Sequence, residues 1–84
     1  MSMHASVVSR TETLFDGECS AVVVPASSGQ LGILPGHEPL IGVLGKGTLK
    51  ITTGTDELMF EIGDGIFSVD DDLVTIACQS GKAA

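Results

Sequence analysis

An all-β fold, an antiparallel β-sandwich of about eight to ten short strands, is what this sequence predicts. Three observations predict it. Short runs such as Thr48-Leu49-Lys50-Ile51-Thr52 and Glu57-Leu58-Met59-Phe60-Glu61-Ile62 alternate apolar and polar residues with the period of a pleated strand. Turn signals built on glycine and aspartate recur every 8–12 residues, as in sandwiches. No segment sustains the 3.6-residue period of an amphipathic helix.

Taken in order, residues 5–9 read as a strand on β-branched content. Residues 12–15 make a second, short one, and Asp16-Gly17 reads as the turn after it. Residues 18–24 follow, with Val22-Val23-Val24 suggesting a strand buried on both faces. Residues 25–29 leave the sheet, and residues 39–44 resume extended structure after a loop. Gly45-Lys46-Gly47 turns the chain into 48–52, with Leu49 and Ile51 inward. Gly54-Thr55-Asp56 leads to 57–62, where Leu58, Phe60 and Ile62 share a face. Gly63-Asp64-Gly65 precedes 66–69, and Asp70-Asp71-Asp72 breaks that strand. Residues 73–79 close the set, with Val74, Ile76 and Cys78 on one face.

Length and composition bound the rest. Eighty-four residues make one domain with a modest core, residues 1–84. With no tryptophan or tyrosine, aliphatic side chains must pack it. Each buried aliphatic contributes roughly 1.5–3 kcal/mol, so a dozen or more must point inward to offset chain entropy. Eleven acids against four bases give a net charge of −7, and the bases (Arg10, Lys46, Lys50, Lys82) are scattered. That argues against nucleic acid and anionic lipid, which reward clustered cations. No apolar run approaches a membrane span, and residues 1–4 lack a signal-peptide pattern. Without a sign of export, Cys19 and Cys78 are expected as free buried thiols.

Candidate chemistry is sparse. His4, His37, Cys19 and Cys78 stand at no metal-ligand spacing, so no metal is expected. Asp70-Asp71-Asp72 lacks the pattern of a calcium loop and reads as a solvated turn. No Gly-x-Ser-x-Gly elbow supports a nucleophile, and no Gly-Lys-Ser/Thr follows the glycine-rich stretch. An enzyme using His37 and Glu38 is the weakest of the available readings.

One stretch dominates: Gly29-Gln30-Leu31-Gly32-Ile33-Leu34-Pro35-Gly36-His37-Glu38-Pro39-Leu40. Gly29, Gly32 and Gly36 permit positive φ, while Pro35 and Pro39 fix φ and remove donors. These five shape a stiff loop that is neither helix nor central strand. Leu31, Ile33, Leu34 and Leu40 are expected to anchor it in the core, with His37 exposed at its tip.

This stretch resembles the G-x-L-G-I-L-P-G-H-x-P-L signature of the epsilon subunit of F-type ATP synthases, in its N-terminal domain. Flanking segments fit as well: Val7-Val8-Ser9, Leu14-Phe15-Asp16-Gly17-Glu18, Val22-Val23-Val24-Pro25, Gly47-Thr48-Leu49-Lys50-Ile51, Gly65-Ile66-Phe67-Ser68-Val69 and Leu73-Val74-Thr75-Ile76-Ala77. The likeness runs from about residue 4 to residue 79. It implies a non-catalytic subunit of a proton- or sodium-translocating synthase. Such a subunit links the gamma subunit to the ring of c subunits, peripherally, at the cytoplasmic face of the bacterial inner membrane. By the same resemblance, Ser9, His37 and Gly42 lie on the gamma side, and Gln30 and Leu31 on the c-ring side. The family most often has Glu at the position of Gln30; an amide here removes a possible charge-assisted contact. Family members usually continue into a helical hairpin that carries inhibition and, in some, a nucleotide site. These 84 residues stop before it, so neither nucleotide nor any other cofactor is expected here. Outward aliphatics for gamma to cover are expected at Val23, Met59 and Ile66. The rival reading is a ligand-binding sandwich using the 29–40 loop. Such sites favour aromatic platforms, and Phe15, Phe60 and Phe67 all stand at core-like positions.

Overall fold

The computed structural model describes residues 2–84. Ten strands follow in order: β1 (Met3–Val8), β2 (Thr13–Cys19), β3 (Ala21–Ala26), β4 (Gly29–Ile33), β5 (Leu40–Leu44), β6 (Gly47–Thr53), β7 (Asp56–Ile62), β8 (Gly65–Asp70), β9 (Leu73–Cys78) and β10 (Gly81–Ala83). None of the described residues is helical. The strands form two leaves. One runs β4-β3-β6-β7-β10 and the other β5-β8-β9-β1-β2. A single pair, Ala26 with Leu44, joins them on one side, and β2 touches β6 and β10 on the other. The result is a nearly closed β-sandwich.

Alternation builds the core. Leu49 and Ile51 of β6, Val74, Ile76 and Cys78 of β9, and Met3, Ala5 and Val7 of β1 all point inward and are buried. Val22, Val24, Ile33, Leu44, Phe60, Ile62, Phe67 and Val69 complete it, and no polar or charged residue is buried with them. Cys19 and Cys78 are free thiols within this core.

Several expectations are corrected. Asp16-Gly17 is no turn: β2 runs through it, because Asp16 and Gly17 pair with Ser6 and Ala5 of β1. Long-range pairing outweighs the local turn signal, and the reversal falls at Ser20 instead. Consequently β3 starts at Ala21, and its valines alternate, with Val22 and Val24 buried and Val23 only half-buried. Residues 25–29 do not leave the sheet. Pro25 and Ala26 pair with Gln30 and Gly29 around a Ser27-Ser28 turn, so the first five residues of the expected loop are strand β4. That strand pairs only with β3, an edge position that tolerates its two glycines. The irregular segment shrinks to residues 34–39. Leu58 shares its face with Phe60 but lies toward the turn end of the β6–β7 hairpin, and is exposed.

Two features lay beyond sequence reasoning. The sandwich is not wholly antiparallel, since β1 pairs in parallel with β9 across some seventy residues of chain. A tenth strand also follows residue 79: β10 adds to the edge of β7, although Gly81-Lys82-Ala83 has no apolar alternation.

Candidate functional site

The outer face of the second leaf is the most unusual surface of the molecule. Register places Val43, Ile66, Ala77 and Val8 in one cross-strand row, and Ile41, Ser68, Thr75 and Ser6 in the next. Neither row carries a charge, on a chain with net charge −7. Ile41 is 80% exposed, and Val43 and Ile66 are each 58% exposed. A clustered aliphatic patch of this kind, rather than scattered single residues, marks a surface that a partner covers. Charge returns at the margins: Asp16 of β2 pairs with Ser6 at the end of the second row, and Asp70, Leu73 and His4 align in the third, where the His4 ring contacts the Asp16 carboxylate.

Of the outward aliphatics expected from sequence, Ile66 is central to this face. Met59 is exposed but belongs to the other leaf, in a row with Val23 and Lys50. Ile41 and Val43 were missed. The signal for them was present, because Leu40 and Leu44 point inward and strand period two then sends 41 and 43 outward.

Ser9 and His37 stand at opposite ends of this leaf. Ser9 follows Val8 at the end of the apolar row. Its N–H donates to the Glu12 carbonyl at 2.8 Å, and its hydroxyl oxygen accepts from the N–H groups of Thr11 and Glu12 at 3.4 and 3.3 Å. It thus shapes the β1–β2 turn. His37 lies in the 34–39 segment beyond the Asp70 row. It is half-buried rather than exposed, and its N–H donates to the Leu34 carbonyl at 3.1 Å. Nδ1 lies 2.7 Å from the Glu38 carbonyl, and since a carbonyl only accepts, Nδ1 carries the proton. Leu34, expected in the core, is 62% exposed; Ile33 is fully buried, and Leu31 and Leu40 pack partly against the core.

Gly42 is placed differently from its expected companions. A Cβ at this position would lie 2.5 Å from Phe67 Cζ, so the glycine makes room for an inward ring. Any side-chain contact with a partner is thereby excluded at 42, and only backbone is on offer. Gly42 also lines an open cleft of about 320 Å³ with Gln30, Leu31, Gly29, Ile41 and Val43. Residues expected on two separate surfaces therefore meet at one rim. Among the loop-shaping residues, Gly29 (φ 131°) and Gly36 (φ 86°) use positive φ. Gly32 does not, and Pro35 and Pro39 bracket the turn. Phe67, the one aromatic side chain lining the cleft, is only 3% exposed and offers little platform, and no charged side chain lines it, which disfavours the ligand-binding reading. Among the described residues no three His, Cys, Asp or Glu side chains converge as metal ligands.

Comparison with known proteins bears on this arrangement. The family model described as the ATP synthase delta/epsilon chain β-sandwich domain matches residues 2–84. The chain belongs to this family. Relatives of this delta/epsilon β-sandwich include the ATP synthase epsilon chain of Bordetella avium, 46% identical over 77 residues, and that of Ruthia magnifica, 43% identical over 75 residues. In each case the match covers 89% of this chain and 54% of the relative. The chain thus spans about half the length of these curated relatives. In fold, it is similar to a chain of the Euglena gracilis mitochondrial ATP synthase, with a TM-score of 0.91 at 22% identity over 98% of this chain and 53% of that one. A chain of the Tetrahymena thermophila central stalk and c-ring gives 0.81 at 17% identity, over 98% and 66% respectively. Identities this low speak for the β-sandwich alone.

The two thiols of this family member give a pH prediction. Burial raises the pKa of Cys19 above 9.0, and burial does the same for Cys78, partly offset by a backbone hydrogen bond. A folded pKa raised above the unfolded one stabilises the fold below the unfolded pKa, and that contribution is lost as pH rises through the folded value. The melting temperature should therefore hold up to about pH 8.5, then fall more steeply than in a Cys19→Ala/Cys78→Ala chain. Thermal melts from pH 7 to 10.5 check this.

Proposed function

We propose that the chain is the non-catalytic central-stalk domain of a proton- or sodium-translocating ATP synthase, joining the gamma subunit to the c-ring. Its location would be peripheral, at the cytoplasmic face of a bacterial inner membrane. Family membership supports the reading, and the uncharged outer face of β5, β8, β9 and β1 is the single observation that carries it. Gamma covers this face, with Ser9 and His37 at its two ends and the backbone of Gly42 near its rim. The β3–β4 hairpin presents Gln30, which is exposed, and Leu31 to the polar loops of the c subunits. Torque transfer without slip requires a rigid body with two adhesive surfaces. A nearly closed sandwich meets that need, because preorganised surfaces lose less entropy on binding.

Affinity capture from solubilised native membranes tests the proposal: the tagged chain should bring down gamma, the catalytic head and c subunits. Recovery of none of them sinks the reading. Gln30→Glu separates the two surfaces. It should change c-ring attachment in a salt-dependent way, because it adds an exposed charge, and change gamma affinity far less, since Gln30 meets the gamma face only at the shared rim.

A further inference from the structure

We propose that Asp72 is a positioning residue that sets the gamma-facing conformation of the Gly36–His37 tip, an inference that rests on the docking role of His37 given above. Asp71 and Asp72 form the two-residue turn between β8 and β9, with Asp70 paired to Leu73. Both have positive φ, 51° and 61°, as in a type I′ hairpin turn. Such positions take glycine, asparagine or aspartate, so the turn alone gives no reason to prefer the carboxylate over the other two.

Its contacts supply one. Asp72 Oδ1 accepts a hydrogen bond from the Gly36 N–H at 2.8 Å, from thirty-six residues away in sequence. The Asp72 carbonyl accepts from the His4 N–H at 2.9 Å. One half-buried residue therefore ties the β8–β9 turn both to the start of β1 and to the 34–39 segment. Gly36 is held at φ 86°, and the next residue, His37, closes its own turn onto Leu34. No other side chain outside residues 34–39 hydrogen-bonds this segment among the described residues. Without the carboxylate, Gly36 is free to leave positive φ, and the His37 ring would be presented in many orientations instead of one. A fixed tip binds with less ordering cost. The link therefore acts on affinity through His37 rather than by contact with the partner.

Two variants of the full 84-residue chain separate positioning from plain stability. Asp72→Gly relieves the positive-φ strain but removes the acceptor; Asp72→Asn tolerates the same backbone and keeps a carbonyl oxygen for Gly36. Amide exchange in 15N-glycine-labelled chain reports the clamp itself, and titration with purified gamma reports its consequence. In Asp72→Gly the Gly36 amide should exchange about tenfold faster, the melting temperature should hold or rise, and gamma affinity should fall about three- to tenfold. Asp72→Asn should restore both to near the native values. Unchanged Gly36 exchange in Asp72→Gly overturns the clamp. Released Gly36 with native gamma affinity overturns its role in docking. A His37→Ala control that binds gamma normally locates the failure in the docking reading of His37, and leaves Gly36 exchange as the separate measure of the clamp.

Discussion

A Gly65→Ala chain should melt about 12–24 °C below the native one, from a loss of about 3 kcal/mol at 4–8 °C per kcal/mol for a domain this size. Gly65 opens β8 and is paired on both sides, to Leu44 of β5 and Cys78 of β9. A Cβ there would lie 2.0 Å from the Ala77 carbonyl oxygen and 2.7 Å from Cys78 Cα. Both atoms are backbone, so no rotamer change relieves the clash. Either β9 shifts, opening the β8–β9 ladder under the apolar row, or β8 starts later and releases Leu44 from the junction between the leaves. Either outcome removes cross-strand hydrogen bonds from the leaf that bears the docking face. Circular dichroism during heating checks the size of the effect. A shift below about 4 °C, equivalent to under 1 kcal/mol, would mean that the β5–β8–β9 registry described above is wrong.

Ile33→Ala comes next, at a cost of roughly 2–5 kcal/mol. Ile33 ends β4 opposite Val22 and is fully buried, so its truncation leaves a cavity against the β3 valines. Leu31 on the same strand is only partly buried, and Leu31→Ala should cost less, about 1–2 kcal/mol, because part of its surface already meets water. The order matters more than either value. The loop was expected to be anchored by four aliphatics, whereas the structure anchors it chiefly through Ile33. Below its melting point the Ile33→Ala chain should still bind gamma, since Ile33 reaches no surface. Paired melts and gamma titrations of the two variants check both statements.

How much was legible in the sequence follows from the range of each interaction. Leu49 and Ile51, or Val74, Ile76 and Cys78, announce their burial because period two is written in adjacent residues. Turns at Gly54-Thr55 and Asp71-Asp72 are equally local and were readable. Asp16-Gly17 carries the same local signal and misleads, since pairing with Ser6 and Ala5 extends the strand through it. The parallel β1–β9 ladder, β10 on β7, and the bond from Gly36 to Asp72 join residues remote in sequence, and no spacing rule encodes them. For the proposed docking surface, the motif around His37 marked only the loop beside this leaf. The face itself needed register: only pairing reveals that Val43, Ile66, Ala77 and Val8 form one row. At Gly42, assigned by the resemblance, only register and the Phe67 ring beside it reveal that the position offers backbone and no room for a side chain.

The central claim is that gamma covers the uncharged face of the second leaf, and Ile41→Glu tests it most directly. Ile41 is the most exposed of the large aliphatics, so in the free chain the substitution should move stability by no more than about 0.5 kcal/mol. In a complex that covers this face, the new carboxylate is desolvated with no cation in its cross-strand row, which Ser68, Thr75 and Ser6 continue. Calorimetric titration of purified gamma should then show affinity lower by about tenfold or more, with a melting temperature within about 4 °C of native. Native affinity in a folded Ile41→Glu chain would contradict the account, because gamma would have to bind elsewhere on the sandwich.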